Sequence, residues 1–158
     1  MRTWCMINGG CRMKEDMLKL ENQLCFPLYA CAREVVKQYK PLLDEIGLTY
    51  TQYIAMMVLW EKREVSVKAL GEALYLDSGT LTPLLKKMQA AGLITRRRDA
   101  ADERSVLVAP TAEGDALKLR AQQIPGKIMQ CIPLSEQDAE TLYRLLYQVL
   151  HSVADDKM

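Results

Sequence analysis

The chain has 158 residues, a formal net charge of +1 and 49% hydrophobic residues, enough for one folded domain with a real core. So even a charge balance excludes a generally basic nucleic-acid binder and leaves only a local patch. No apolar run approaches the roughly 20 residues that span a bilayer.

Residues 1–12 contain Asn8-Gly9-Gly10 and no periodicity, so a flexible tail is expected there, with Met13 or Met17 as equally good starts of the folded part. The same stretch lacks a continuous apolar segment and a small-residue cleavage site, which argues against a secretory signal. Five cysteines in such a chain point to thiols in a reducing cytoplasm. They stand at 5, 11, 25, 31 and 131, with no CxxC pair, and His151 is the only histidine. That inventory suits neither a zinc site nor histidine-based nucleophilic catalysis, and no Gly-rich phosphate loop is present. No metal, no cofactor and no enzyme activity are expected.

From Asn22 to Glu45 an apolar stripe of Leu24, Leu28, Cys31/Ala32, Val35, Tyr39 and Leu42/Leu43 predicts a helix that Asn22 caps and Gly47 ends. A second, densely apolar helix fits Thr51–Trp60. Two short helices follow across a tight turn, "VKALGEALY" capped by Ser66 and "SGTLTPLLKKMQAAG" capped by Asp77 and stopped by Gly92. "LITRRR" and "RSVLVAP" read as two strands around the polar turn "DAADE". Thr111 opens a helix with Leu117, Ala121, Ile124 and Ile128 on one face, which Pro125-Gly126 must kink or break. Ser135 starts the last helix, whose stripe is Ala139, Leu142, Leu145/Leu146, Val149 and Val153. The fold class expected is mainly α with a small β-hairpin wing: a winged helix-turn-helix over about 48–110, with dimerisation helices over about 20–46 and 111–153.

Two short helices across a tight turn present the second one's N-terminus to a major groove. With Leu81, Leu84, Leu85 and Met88 facing inward, Ser78, Thr80, Thr82, Lys86 and Lys87 are left to meet double-stranded DNA. Pro83 costs a backbone bond in mid-helix, so a bend is expected there. The hairpin adds Arg96, Arg97 and Arg98 before its turn and Asp102 and Arg104 after it. Three arginines alone read as a solvated surface; a helix-turn-helix directly before them makes them a reach toward the DNA backbone. The terminal helices are too apolar for so small a core, and a second copy of the chain is the simplest cover. Such a homodimer would present two recognition helices to a palindromic operator.

Cys25 would lie in the first turn of its helix, where free N–H groups and the helix dipole favour a thiolate. Three blocks, "LKLENQLCFPLYACAREVVKQYKPLLDEIGLTYTQY", "ALYLDSGTLTPLLKKM" and "LITRRRDAADERSVLV", resemble the MarR family of winged-helix regulators, and within it the OhrR-type branch that senses organic hydroperoxides. The resemblance covers about residues 18–153, and a single MarR-type domain over 13–158 is expected. It implies that Cys25 is the peroxide-sensing thiol and that Tyr39 and Tyr50 hydrogen-bond it. Tyr39 is fourteen positions from Cys25, about 21 Å along one helix, so it would have to act from the other subunit. Tyr29, one turn away, reads equally well as support for the thiol or as an interface residue.

In one branch of that group a small thiol caps the oxidised cysteine; in the other, a second cysteine near the C-terminal helices closes an intersubunit disulfide. Cys131, in "KIMQCIPLS", stands near the place of that resolving residue, or simply packs with Ile124 and Ile128. Cys5 and Cys11 are bystanders or alternative resolvers, and Cys31 reads as one packed stripe residue. Pro27 departs from the family pattern. Phe26, Leu28 and Trp60 would favour alkyl hydroperoxides as oxidants. The chain therefore reads as a redox-sensing repressor, with a MarR-type repressor released by a small aromatic ligand as the alternative and a thiol peroxidase below it.

Overall fold

In the computed structural model, which describes residues 18–102 and 104–154, helix α1 runs from Cys25 to Asp44. The expected tail, with Cys5 and Cys11, lies outside the described residues. Asn22 does not cap α1. It ends a short 3₁₀ turn, Leu20–Asn22, and Leu24 takes the cap position without a side-chain bond. Backbone does the work instead: the Phe26 N–H donates to the Gln23 carbonyl at 3.2 Å. Pro27 brings no N–H to the first turn and so fits there. Cys31 and Ala32, expected to pack within the stripe, are exposed. The stripe faces α2 only toward its far end, where Leu43 is buried and Tyr39 half-buried.

Helix α2, Tyr50–Lys62, opens with a reciprocal cap. The Gln52 N–H donates to the Thr49 hydroxyl, and the Thr49 N–H donates to the Gln52 side chain at 2.8 Å. It buries Tyr53, Ala55, Met56, Leu59 and Trp60. Helices α3, Val67–Leu74, and α4, Ser78–Ala90, are capped by Ser66 and Asp77 as predicted. Between them Tyr75 adopts the left-handed conformation, φ 53°. The turn is tight enough that a Cβ on Gly71 would stand 2.9 Å from the Leu76 carbonyl oxygen. An isolated glycine within a helical pattern marks such a close approach.

The sheet has three strands in the order β1-β3-β2, not the two expected. Strands β2, Ile94–Arg98, and β3, Val106–Pro110, form the predicted hairpin; β1, Val65–Ser66, adds a two-residue antiparallel edge on β3. Met56, Leu59, Leu70, Leu81, Leu85, Met88, Ile94 and Val108 close the core, none more than 2% exposed. Each such side chain contributes about 1.5–3 kcal/mol of burial.

Helix α5, Ala112–Ala121, is capped by Thr111 and packs close to the sheet through Gly114. The Trp60 indole N–H donates to the Gly114 carbonyl at 3.0 Å. The expected break comes at Gln122-Gln123, just ahead of Pro125, because Pro125 has no N–H to give the Ala121 carbonyl and sits in the first turn of α6, Ile124–Met129.

The described residues form two compact units, the first ending at Ile124 and the second beginning at Pro125. In the second, Ser135 caps α7, Glu136–Ala154, its hydroxyl oxygen accepting from the Asp138 N–H at 3.1 Å. No residue of α7 is buried. Its stripe members Leu142, Leu145, Leu146, Val149 and Val153 are 38–59% exposed. No helix among the described residues is long and apolar enough to cross a membrane.

Candidate functional site

The first surface lies on α4. Leu81, Leu85 and Met88 are buried and Leu84 half-buried, which leaves Ser78, Thr80, Thr82, Lys86 and Lys87 exposed, the division expected from the sequence. Asp77 organises the helix start. Its carboxylate accepts from the Thr80 N–H at 2.9 Å and from the Thr80 hydroxyl at 3.0 Å. These bonds, the backbone one first, hold the Asp77 carboxyl below the usual carboxylate range. The Thr80 hydroxyl hydrogen is therefore committed to the cap, and its oxygen keeps only acceptor capacity. Pro83 lies inside α4 and removes the bond that would reach the Gly79 carbonyl.

The wing continues this surface. Register pairs Arg96 with Val108, Arg97 with Leu107 and Arg98 with Val106. Alternation puts Arg96 and Arg98 on the face of buried Ile94 and Arg97 on the opposite face. Arg96 Nε donates to the Gln89 side-chain oxygen at 2.7 Å, tying the wing strand to the last turn of α4. Arg97 instead donates through Nε and Nη2 to the two Glu64 carboxylate oxygens, at 3.0 and 2.8 Å. At the tip, the Asp102 carboxylate accepts from the Arg104 N–H at 3.1 Å and the Asp102 carbonyl from the Ser105 N–H at 2.8 Å. Asp102 thus shapes the loop, while Arg98 and Arg104 project from its two sides, both exposed.

Sequence reasoning missed the partners of these arginines. Glu64 and Gln89 carry no motif, and only the folded register brings them to the wing.

The thiols lie elsewhere. Cys25 is the first residue of α1 and is exposed, as are Cys31 and Cys131; all three are free. Phe26 is 42% exposed and Leu28 half-buried beside Cys25. Tyr29 accepts from Arg33 Nη1 at 3.2 Å and lies under the same guanidinium. Tyr39 and Tyr50 do come together, ring centroids 4.9 Å apart and edge to face, with Tyr53 6.0 Å from Tyr39. Burial first, and Tyr50 second, push the Tyr39 phenol above its ordinary range. This pair occupies the far end of α1, about 21 Å along the helix from the Cys25 of the same chain. Cys131 follows α6, its thiol donating to the Lys127 carbonyl at 3.5 Å. Among the described residues no cluster of histidine, cysteine or carboxylate side chains could hold a metal ion.

Comparison with known proteins gives consistent results. The family described as "Transcriptional regulator SarA/Rot" matches residues 37–120. The organic hydroperoxide resistance transcriptional regulator of Bacillus subtilis (strain 168) is 54% identical over 140 residues, covering 89% of this chain and 95% of that protein. Among solved structures, reduced AbfR bound to DNA is 31% identical with a TM-score of 0.74, covering 90% of this chain and 99% of that one. The disulfide-formed AbfR, at the same identity, covers 90% and 97% with a TM-score of 0.60. AbfR is a protein of Staphylococcus epidermidis.

Proposed function

The chain belongs to the MarR family of winged-helix transcriptional regulators, and on that premise we propose that it is a dimeric repressor released from its operator when organic hydroperoxides oxidise Cys25. The observation that carries this reading is the 54% identity, over nearly the whole chain, to a regulator of organic hydroperoxide resistance.

The chemistry follows from an exposed thiol at a helix start. The Cys25 thiolate attacks the terminal oxygen of the hydroperoxide, which becomes the S–OH group; the O–O bond breaks, and the alkoxide leaves and takes a proton from water. Sulfur is oxidised by two electrons to the sulfenic acid. The Cys131 thiol of the other subunit then displaces the hydroxyl as water, forming an intersubunit disulfide. In a reducing cytoplasm both thiols start free. Tyr39 and Tyr50 donate hydrogen bonds to the partner's thiolate, and Tyr29 lines the approach.

Homodimerisation accounts for α7, a 19-residue helix with no buried residue and a continuous apolar stripe. Two recognition helices would then meet a palindromic site, their half-sites about 34 Å apart. Ser78, Thr82, Lys86 and Lys87 enter or flank the major groove, Thr80 accepts from a base, and Arg96, Arg98 and Arg104 follow the backbone. Closing the disulfide re-spaces the two lobes, and each 1.4 kcal/mol of lost registration lowers operator affinity about tenfold.

The test is non-reducing gel mobility before and after one equivalent of cumene hydroperoxide, on wild type, Cys25→Ser and Cys131→Ser. A covalent dimer in wild type that is absent from both variants is the expected result. Intact-mass spectra showing Cys25 unmodified would overturn the redox reading in favour of a ligand-released repressor.

A further inference from the structure

At the end of α2 the backbone makes a turn that it does not enter unaided. Arg63 has φ 67° and ψ −62°, and the Glu64 N–H donates to the Lys62 carbonyl at 2.8 Å. A three-residue turn of this hand is rare and strained for any residue with a Cβ, and it persists only where the surroundings over-determine it. The surroundings here are two forked ion pairs that leave adjacent residues in different directions. Arg63 donates through Nη1 and Nη2 to both oxygens of Asp115, at 2.9 and 2.5 Å, in the first turn of α5. Glu64 accepts from Arg97 Nε and Nη2, on β2. Two bonds in parallel fix orientation as well as distance, which a single contact between flexible side chains does not. One corner is thereby fastened to both the wing and α5.

The register adds a second observation. Arg97 is the one arginine of Arg96–Arg98 that lies on the sheet face opposite Arg96, the residue joined to α4 through Gln89. Its fork is directed at Glu64, on the side away from the recognition helix.

We propose that Arg63 and Glu64 form a corner clamp in which Arg97 is a strut that sets the position of the wing, and is not itself a contact to DNA. The proposal rests on the DNA-binding reading above and deepens it. Of the three consecutive arginines, Arg98 reaches the duplex from the end of β2, Arg96 does so from beside α4, and Arg97 holds the strand at the angle from which both reach it. The clamp also ties that angle to the first turn of α5, so that a shift of α5 is passed to the wing through Asp115, Arg63, Glu64 and Arg97 in turn.

The opposing possibility is that Arg97 leaves Glu64 for a phosphate, with Glu64 a competitor of the operator. Charge exchange separates the two. The probe is a labelled duplex recovered by in vitro selection from a random-core library on the reduced, full-length protein. The variants are Arg97→Gln, Glu64→Gln and the exchanged pair Glu64→Arg with Arg97→Glu. On the strut assignment both single variants weaken binding by a similar factor, about three- to fivefold. The slope of log affinity against log salt stays as in wild type, and the exchanged pair returns to within about twofold of it. The assignment is overturned if Arg97→Gln flattens that slope by about one while Glu64→Gln tightens binding. It is equally overturned if the exchanged pair binds worse than either single variant.

Amide hydrogen exchange on the DNA-free protein supplies a readout independent of operator binding. Residues 96–98 and 106–108 should exchange faster in both single variants and recover in the exchanged pair; unchanged exchange in the single variants removes the clamp. Should wild type select no duplex at all, the DNA-binding reading fails on that result, and the exchange data still decide the clamp.

Discussion

Cys25 and Tyr39 share one 20-residue helix, and that fact yields a sharp prediction. Fourteen residues of helix separate them by about 21 Å, so the Tyr39–Tyr50 pair cannot reach the thiol of its own chain. If the phenols support the thiolate, each sensing site is assembled from two subunits. The perturbation is a pair of complementary defects: Cys25→Ser in one chain, Tyr39→Phe with Tyr50→Phe in the other. A hydrogen bond to a charged group contributes about 1.5–3 kcal/mol, so loss of the phenols should slow thiol oxidation by about 10- to 100-fold. The first homodimer has no thiol to oxidise.

Mixed dimers carry one complete site, the Cys25 of the tyrosine-deficient chain beside the tyrosines of the cysteine-deficient one. After equimolar mixing and subunit exchange, about half of the remaining Cys25 thiols lie in such heterodimers. The assay is stopped-flow consumption of cumene hydroperoxide at one equivalent per Cys25, with dimedone trapping of the sulfenic acid. About half of the amplitude should return at the wild-type rate. A mixture in which every thiol reacts at the slow rate would refute the shared site, because a site confined to one chain gains nothing from mixing.

Three further outcomes are expected. Gly114→Ala puts a methyl group against the Leu93 carbonyl and within 3.1 Å of Met56 Cε, and should cost about 1–3 kcal/mol in urea unfolding followed by Trp60 fluorescence; an unshifted midpoint would show that α5 has room to move. Leu146→Glu places a charge in the uncovered α7 stripe and should weaken dimerisation by about 100-fold in sedimentation velocity, whereas a dimer of unchanged strength would mean that the stripe lies outside the interface. Asp77 and Asp115 are both held below the usual carboxylate range, by Thr80 and by Arg63 respectively, so their contribution is present above about pH 4 and is lost as pH falls through their folded values. Thermal melts of Asp77→Asn with Asp115→Asn should accordingly lose less stability than wild type between neutral and acid pH, and parallel losses would contradict the assignment.

Much of the architecture was legible because it rests on local rules. Ser66, Asp77 and Ser135 cap their helices by hydrogen bonds within three residues, and alternation in the hairpin sets its register. What escaped depends on contacts distant in sequence. Strand β1 is two residues long, too short for any period, and exists because β3 is there to pair with it. Asn22 has the chemistry of a cap, yet the chain had already closed a 3₁₀ turn at that point. Cys31 follows the helical spacing of the stripe but stands where the chain has no neighbour to cover it. The candidate DNA surface divides the same way: its residues were readable on α4, but which arginines already hold partners was not. Glu64 lies 33 positions from Arg97, and nothing in either neighbourhood advertises the pair.

The two ends of α1 do different kinds of work, and this bears on how a redox event reaches DNA. The Tyr39 end is fixed: it packs on Tyr50 and Tyr53, and through Tyr53 on Trp60, whose indole is bonded to α5. The Cys25 end emerges from a short 3₁₀ turn with Cys25, Phe26 and Tyr29 exposed, and on the proposed dimer a second chain supplies its surroundings. On the proposed dimer, the thiol of each subunit therefore meets the rigid aromatic end of the other. Oxidation at that meeting point acts on a residue anchored, in few steps, to α5 and so to the Arg63–Asp115 corner. A change at the thiol then has a packed route toward the wing, built of rings and ion pairs that belong to one unit of one chain. Breaking the route at Trp60→Phe, which removes the bond to Gly114 and leaves a smaller aromatic ring in place, should leave Cys25 oxidation unchanged while reducing the accompanying loss of DNA affinity. Equal loss of affinity in variant and wild type would show that the signal travels by another path.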